Sequence, residues 1–196
     1  MPKIIPVPEH IKGLIFDCDG TLVDSMPIHL KGWEHAITKS GGKWDYDLFV
    51  SSRGMIEKDI IYLYNEKYLT SLDANSVLDI KHSFVKNHMT TLEPIKPVVD
   101  VVLKYKDILP MSVVSGGTRE NILTELEIIG LSAMFNPILT ADDDFKPKPA
   151  PDLFLQAAKL MNVPPNLCVV FEDGDLGMQG AVKAGMEAID IKEFLD

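Results

Sequence analysis

The sequence has little cysteine, and its apolar runs are short. The two cysteines, Cys18 and Cys168, lie in or beside apolar runs where strands are expected, and a structural zinc site would need more ligands at closer spacing. This usage is typical of reduced thiols, so we expect a cytoplasmic protein. No run approaches the roughly 18 apolar residues that a membrane-spanning helix needs, and the first residues lack a signal-peptide pattern.

Positive charge is also scarce. The 196 residues include 19 Lys and Arg against 29 Asp and Glu, which gives a formal net charge of −10. An acidic surface argues against nucleic acid and anionic membranes as partners. It does not exclude an anionic small ligand, because a few local cations and a metal can reverse the sign of one pocket. Hydrophobic residues make up 46% of the chain, enough for one well-cored domain with room for a second lobe.

The sequence does contain a series of short apolar runs separated by segments with helical spacing. Continuous runs, rather than alternating ones, predict a parallel sheet that is covered on both faces. Strands that alternate with helices predict an α/β fold, a doubly wound Rossmann-like parallel sheet. The five candidate strands are "IKGLIFD" (11–17), "MSVVS" (111–115), "NPILTA" (136–141), "LCVVFED" (167–173) and "EAIDI" (187–191).

Residues 26–90 interrupt this rhythm. They contain no convincing strand, and their apolar residues recur at helical spacing instead. We therefore expect two domains: an α/β catalytic core of residues 1–25 and 91–196, and an inserted α-helical domain of residues 26–90. In the core, the expected apolar faces of the helices include Ile122, Leu126, Leu160 and Val182.

Two carboxylates stand one residue apart at the end of the first apolar run, in "GLIFDCDGTLVDS" (13–25). Asp17 and Asp19 repel each other unless a cation or a shared proton relieves the repulsion. An EF-hand calcium loop has its glycine at the sixth position after a helix, whereas Gly20 is fourth and follows a strand. A plain turn does not explain why two carboxylates that repel each other stand beside a buried strand. A reaction centre with Mg²⁺ explains it best, because the cation neutralises both acids and leaves one oxygen free to attack.

Three further stretches place polar groups after candidate strands. They contribute a hydroxyl beside a glycine, an arginine in a first helical turn, a lysine in a proline-stiffened loop and a second acidic pair: Ser115 with Gly116, Arg119, Lys148, and Glu172 with Asp173. Each has an ordinary alternative, namely a Ser-Gly-Gly loop with a solvated arginine, a proline-rich surface turn and an acidic turn. Because parallel strands end at one edge of a sheet, the stretches together predict a single site for a phosphate and a divalent cation.

These motifs resemble those of the haloacid dehalogenase superfamily of phosphotransferases over nearly the whole chain. "DCDGTLVDS" is similar to its first motif, Ser115 to its second, Lys148 in "KPKPAPD" to its third, and "FEDGDLGMQGAVKAGM" to its fourth. The resemblance is strongest to the beta-phosphoglucomutase-like branch, which includes bacterial sugar phosphatases such as fructose-1-phosphatase. It implies a haloacid dehalogenase core in which residues 26–90 form an α-helical cap.

The resemblance also implies roles for individual residues. Asp17 would be the nucleophile that forms an aspartyl-phosphate and also a Mg²⁺ ligand. Asp19 would be the general acid and base, with its backbone carbonyl on the metal. Asp173 would be the protein's other direct metal ligand, and Glu172 would support the metal either directly or through a neighbouring ligand. The residues expected to hold the phosphoryl group or the rest of the substrate are Gly20, His29, Ser115, Gly116, Arg119 and Lys148. For His29, a purely structural role is the alternative.

The chain departs from the family pattern at two places. Gly174 stands where the fourth motif usually has a serine, which removes one hydroxyl. Aligned on Gly54, Glu57 stands where mutases carry an arginine that grips a second phosphate, and a glutamate would repel that phosphate. We therefore expect a Mg²⁺-dependent phosphatase of small sugar phosphates, of the fructose 1-phosphate type, that acts as a cytoplasmic monomer. A beta-phosphoglucomutase that interconverts hexose 1- and 6-phosphates is the alternative, and a phospho-receiver signalling domain is a remote one.

Overall fold

The computed structural model describes residues 3–52 and 55–195. Gly54, on which the alignment of Glu57 depends, lies outside the described residues. The chain divides into two compact units, Met1–Asp24 with Glu93–Asp196 and Ser25–Leu92. Among the described helices, none combines the length and the apolar character that a membrane crossing requires.

The first unit is built on one parallel sheet, which has five strands within the described residues. The strands are β1 (Gly13–Phe16), β2 (Met111–Val114), β3 (Ile138–Leu139), β4 (Cys168–Glu172) and β5 (Glu187–Asp190). They lie in the order β3-β2-β1-β4-β5, and every neighbouring pair is parallel. Every residue of β1, β2 and β4 is buried, as continuous apolar runs predict. The predicted α/β fold class is confirmed.

The inserted unit is helical and has a core of its own. Its helices are α1 (Met26–Lys39), α2 (Tyr46–Ser51), α3 (Glu57–Tyr68) and α4 (Ala74–His88). The side chains of Asp45 and Asp73 cap the starts of α2 and α4 by accepting hydrogen bonds from backbone N–H groups. Aromatic rings fill much of the interior, with Trp33 and Tyr64 each in contact with Phe49.

The first unit also contains four α-helices within the part of the chain that is described, of which the third and fourth contact the strands of the sheet. They are α5 (Lys96–Tyr105), α6 (Arg119–Ile128), α7 (Asp152–Met161) and α8 (Asp175–Lys183). Ile122 and Leu126 are fully buried on α6, as predicted. Leu160 and Val182, which the sequence pattern also assigns to buried faces, are 53% and 65% exposed. That part of the prediction is wrong because α7 and α8 bury faces centred on Phe154 and Ala181, and these two residues lie outside them.

Candidate active site

The carboxyl ends of three neighbouring strands carry the polar residues of the site. Asp17 directly follows β1, and its N–H donates to the carbonyl oxygen of Phe171 on β4 (3.0 Å). Glu172 is the last residue of β4, and Ser115 directly follows β2. Because Phe16 is aligned with Val113 on one side and with Phe171 on the other, these ends lie at one edge of the sheet.

Lys148 joins the ends of β1 and β4. Its Nζ donates to Asp17 Oδ1 at 2.6 Å and to Glu172 Oε2 at 2.7 Å. The three side chains are almost buried, with exposed fractions of 12% for Lys148, 7% for Asp17 and 4% for Glu172. Nζ also lies 5.5 Å from the centre of the Phe154 ring, a cation–π arrangement that supports the ammonium from α7. The proline-flanked loop therefore holds a positive charge directly on Asp17.

The electrostatic surroundings shift the proton affinities of this cluster. Burial raises the pKa of Asp17 well above its ordinary value, and the negative charge of Glu172 raises it further while Lys148 opposes both. Burial and the charge of Glu172 also raise the pKa of Asp173. For Lys148, burial alone would lower the pKa, but the charges of Asp17 and Glu172 outweigh it and raise the pKa. The site thus holds more negative charge than its one ammonium neutralises.

The donor set fits a hard divalent cation. Oxygen atoms of Asp17, Glu172 and Asp173 all lie within 4.8 Å of one another. Carboxylate oxygens are the ligands that Mg²⁺ prefers, and a divalent charge would balance what Lys148 leaves uncompensated. These residues can therefore hold Mg²⁺, with Asp17 shared between the metal and Lys148.

Two glycines make room for the acidic residues of the cluster. Gly20 has φ +81°, and a Cβ there would lie 2.5 Å from Asp173 Oδ2. A side chain at Gly177, in the first turn of α8, would overlap the carboxylate of Glu172. The N–H of Gly20 donates to the carbonyl oxygen of Val23 (2.8 Å), so this geometry favours a structural role rather than the predicted phosphate contact.

Hydrogen bonds from neighbouring loops fix Asp173 and Glu172. Thr21 Oγ1 donates to Asp173 Oδ1 (3.0 Å), and the N–H of Gly174 donates to Glu172 Oε1 (3.1 Å). Gly174 stands where a serine is usual in the family, and its backbone supplies a donor to the acidic pair without a hydroxyl. Both carboxylates therefore have defined orientations.

The loop after β2 is built around Ser115. This residue is buried, its N–H donates to the carbonyl oxygen of Leu139, and its Oγ accepts from the N–H of Gly117 (3.0 Å). A Cβ at Gly116 would meet nothing within 4 Å, so there is open space at this point of the loop. A Cβ at Gly117 would lie 3.3 Å from Asp19 Oδ2. The structure therefore brings the Asp19 carboxylate close to the Ser115 loop.

The geometry does not support one residue predicted to bind the substrate, Arg119, in that role. The guanidinium of Arg119 donates to both oxygens of Asp143 (2.8 and 3.0 Å) and to the carbonyl oxygen of Ile138. Arg119 thus has a carboxylate partner of its own, and its predicted contact with phosphate gains no support from this geometry. His29 belongs to the inserted unit, on α1, and its predicted role stays a prediction.

Sequence reasoning missed one acidic residue next to the site. Glu125 on α6 is 1% exposed, and the thiol of Cys18 donates to its Oε2 (3.4 Å). Burial raises the pKa of Glu125 to about 9, with the charge of Asp19 as the next cause. The apolar stripe of α6 predicts the burial of Ile122 and Leu126 but assigns no role to the glutamate beside them. The sequence signal that could have identified Glu125 is a carboxylate inside an otherwise apolar helix face.

A parallel sheet that gathers acids, a serine and a lysine at its carboxyl edge defines a doubly wound α/β enzyme. The chain belongs to the haloacid dehalogenase-like hydrolase family, whose model matches residues 14–191. The resemblance drawn from the motifs is thereby confirmed.

Individual relatives match almost the whole chain. Fructose-1-phosphate phosphatase YqaB of Escherichia coli strain K12 is 36% identical over 185 residues, which are 94% of this chain and 98% of that protein. Beta-phosphoglucomutase of Bacillus subtilis strain 168 is 27% identical, covering 92% of this chain and 83% of that protein. A haloacid dehalogenase-like protein of Agrobacterium tumefaciens strain C58, of unknown function, has a similar crystal structure. Its TM-score is 0.77 at 29% identity, covering 91% of this chain and 81% of that one.

Proposed function

We propose that this protein is a Mg²⁺-dependent phosphatase of small sugar phosphates of the fructose 1-phosphate type. The observation that carries the proposal is the almost buried Lys148 ammonium between Asp17 and Glu172, with Asp173 beside them. Phosphoryl transfer depends mainly on positioning and on neutralising charge, and this cluster supplies both. The similarity to the Escherichia coli fructose-1-phosphate phosphatase over nearly the full length of both chains supports the substrate class.

In the proposed reaction, an oxygen of Asp17 attacks the phosphorus and forms an Asp17 O–P bond. The bond between phosphorus and the sugar oxygen breaks with its electron pair on that oxygen, and Asp19 donates a proton to it. Water then attacks the aspartyl-phosphate, Asp19 takes a proton from the water, and the bond to Asp17 breaks to release inorganic phosphate.

The remaining groups hold the reacting atoms. Lys148 stabilises the ionised form of Asp17, as its effect on the pKa of Asp17 indicates, and would pair with the phosphoryl oxygens. Ser115 and Gly116 would hold the phosphoryl group at the open side of their loop. Mg²⁺ would be held by Asp17, Asp173, Glu172 and the carbonyl of Asp19, and when bound it supplies positive charge at the transferring group.

We assign the role of cap to the helical unit Ser25–Leu92, on the family resemblance. A cap of this kind excludes water and selects the substrate. His29 is proposed to assist Asp19. The proposal includes a monomeric, cytoplasmic enzyme whose partner is a phosphorylated small molecule.

Beta-phosphoglucomutase activity is the second candidate, supported by the 27% identity to the Bacillus subtilis enzyme. Glu57 weighs against it, since the position aligned with the phosphate-gripping arginine carries an acid. This carboxylate also has partners of its own, Lys81 (2.5 Å) and His82 (2.6 Å). The phospho-receiver alternative gains no support from the family match.

The test is phosphate release from a panel of phosphorylated sugars, with Mg²⁺ and with EDTA. We expect turnover that needs Mg²⁺ and is lost in Asp17→Asn, whereas Asp100→Asn, an exposed aspartate of the same unit, keeps the wild-type rate. Release of phosphate from no sugar phosphate, or an unimpaired Asp17→Asn, would contradict the proposal. Isomerisation of a hexose phosphate that requires a sugar bisphosphate would instead identify a mutase.

A further inference from the structure

The proposed reaction makes no use of Glu125, although this carboxyl lies next to the residues that carry it out. Glu125 is 1% exposed on α6, and the Cys18 thiol donates to its Oε2 at 3.4 Å. Oxygens of Glu125 and Asp19 lie within 4.8 Å of each other, and the two side chains hydrogen-bond. Glu125 therefore hydrogen-bonds to Cys18 and Asp19, the two residues that follow Asp17.

Burying a carboxyl in an apolar helix face costs free energy unless hydrogen bonds compensate for lost water. On α6 the flanking buried residues, Ile122 and Leu126, are both apolar, so Glu125 is the polar exception on this face. The hydrogen bonds to Cys18 and Asp19 are the compensation that the structure provides. The buried carboxyl of Glu125 therefore interacts with the loop that follows β1.

A second element also lies close to Asp19. Its Oδ2 lies 3.3 Å from the point that a Cβ on Gly117 would occupy, so the Ser115 loop runs alongside this carboxylate. Glu125 approaches from α6. Contacts from two elements are what hold a side chain within the small range of positions that proton transfer requires.

We propose that Glu125 is a positioning residue that holds the carboxyl of Asp19 in place for proton transfer to the leaving oxygen. The inference rests on the proposed function, since it assigns to Asp19 the role of general acid. This positioning role requires a hydrogen-bonding group at position 125, and that group does not have to gain or lose a proton. A glutamine can donate to Asp19 through its amide NH₂ and accept from Cys18 through its carbonyl oxygen. A methionine of nearly the same size can do neither.

The experiment compares two substrates with different demands on Asp19. A sugar phosphate releases an alkoxide that must be protonated, whereas p-nitrophenyl phosphate releases a nitrophenolate that needs no proton. The quantity measured is kcat/KM, which reports the step in which the leaving group departs. For Glu125→Met we expect a loss of about tenfold or more on the sugar phosphate and a much smaller loss on p-nitrophenyl phosphate. Glu125→Gln should retain most of the wild-type value on both.

The matched control is Glu127→Met, an exposed glutamate two residues further along α6, which should match wild type. If Glu125→Met does not fold by circular dichroism, Glu125→Ala gives the same comparison without forcing a larger side chain into the site. Equal losses on the two substrates, failure of glutamine to restore activity, or a fully active methionine variant would each overturn the inference. These outcomes assume an active wild type; a wild type that hydrolyses neither substrate overturns the proposed function itself and this inference with it.

Discussion

The Nζ of Lys148 lies 2.6 Å from Oδ1 of Asp17, in a contact that leaves only 12% and 7% of the two side chains exposed. The same ammonium reaches Glu172 Oε2 at 2.7 Å. A loop lysine thereby neutralises carboxylates at the ends of two adjacent strands. Asp17 can act as the proposed nucleophile only when it is ionised, and burial works against that state, so this contact bears on both stability and the proposed activity.

Lys148→Met removes this cation and leaves the carboxylates of Asp17 and Glu172 without it. Breaking a buried ion pair by removing one partner typically costs about 3 kcal/mol or more. We expect a loss of that order in the unfolding free energy, measured in urea by circular dichroism without Mg²⁺, and a fall in kcat of about 100-fold or more. Lys146→Met, an exposed lysine of the same loop, is the control and should change neither quantity. A Lys148→Met variant with wild-type kcat would contradict the role assigned to the ammonium.

Gly177→Ala tests the space that α8 leaves for Glu172. In an unobstructed helix this change is stabilising by roughly 0.5–1 kcal/mol, because alanine loses less backbone entropy. Here the added Cβ would overlap the Glu172 carboxylate that accepts from Lys148. We expect the opposite sign, a lower melting temperature, together with a marked fall in kcat. Gln179→Ala, at an exposed position of the same helix, should leave activity unchanged. A melting temperature that rises in Gly177→Ala would show that Glu172 can move away freely.

The residues at the strand ends could be predicted because two simple patterns coincide there. Continuous apolar runs identify parallel strands, and parallel strands end at one edge, so Asp17 and Glu172 must lie close together. The structure also places Lys148 beside these two acids. Its sequence signal was weaker, because it consisted of the prolines around the lysine. The sequence patterns therefore predicted the acids, the lysine and the edge of the sheet at which they lie.

Contacts between residues far apart in sequence could not be predicted in the same way. Glu125 faces Cys18, 107 residues earlier, and a helical stripe alone places it at the edge of an apolar face. Arg119 pairs with Asp143, 24 residues later, which no local pattern reveals. In both cases the partner depends on which loops the sheet order places side by side. Periodicity gives the face of a helix but not the element that packs on it.

Arg119 and Asp143 provide a paired test of the arginine's role. If Arg119 serves mainly to tie the loop after β2 to the loop after β3, Arg119→Met and Asp143→Asn should have the same consequences. Because the side chains are 42% and 25% exposed, we expect each to lower the unfolding free energy by about 1 kcal/mol or less. KM for a sugar phosphate should change little in either. A large rise in KM in Arg119→Met alone would instead support the predicted contact with phosphate.

Glu57 in the inserted unit predicts a pH dependence of stability. Burial would raise the pKa of Glu57, but the hydrogen bond to His82 and the charge of Lys81 outweigh it and lower the pKa to about 2. Because the folded-state pKa lies below the unfolded value of about 4.5, folding favours the ionised form. The resulting stabilisation is complete above pH 5 and is lost progressively as the pH falls toward 2.

The measurement compares wild type with Glu57→Gln, which keeps the size of the side chain but does not titrate. Both tryptophans, Trp33 and Trp44, lie in the inserted unit, so tryptophan fluorescence in urea follows the unfolding of this unit specifically. Wild type should be more stable than the variant at pH 7, and the difference should shrink at pH 3. Glu66→Gln, an exposed glutamate on α3, controls for the general effect of acid on the other carboxylates. A difference between wild type and Glu57→Gln that is the same at both pH values would mean that Lys81 and His82 do not hold the pKa of Glu57 down.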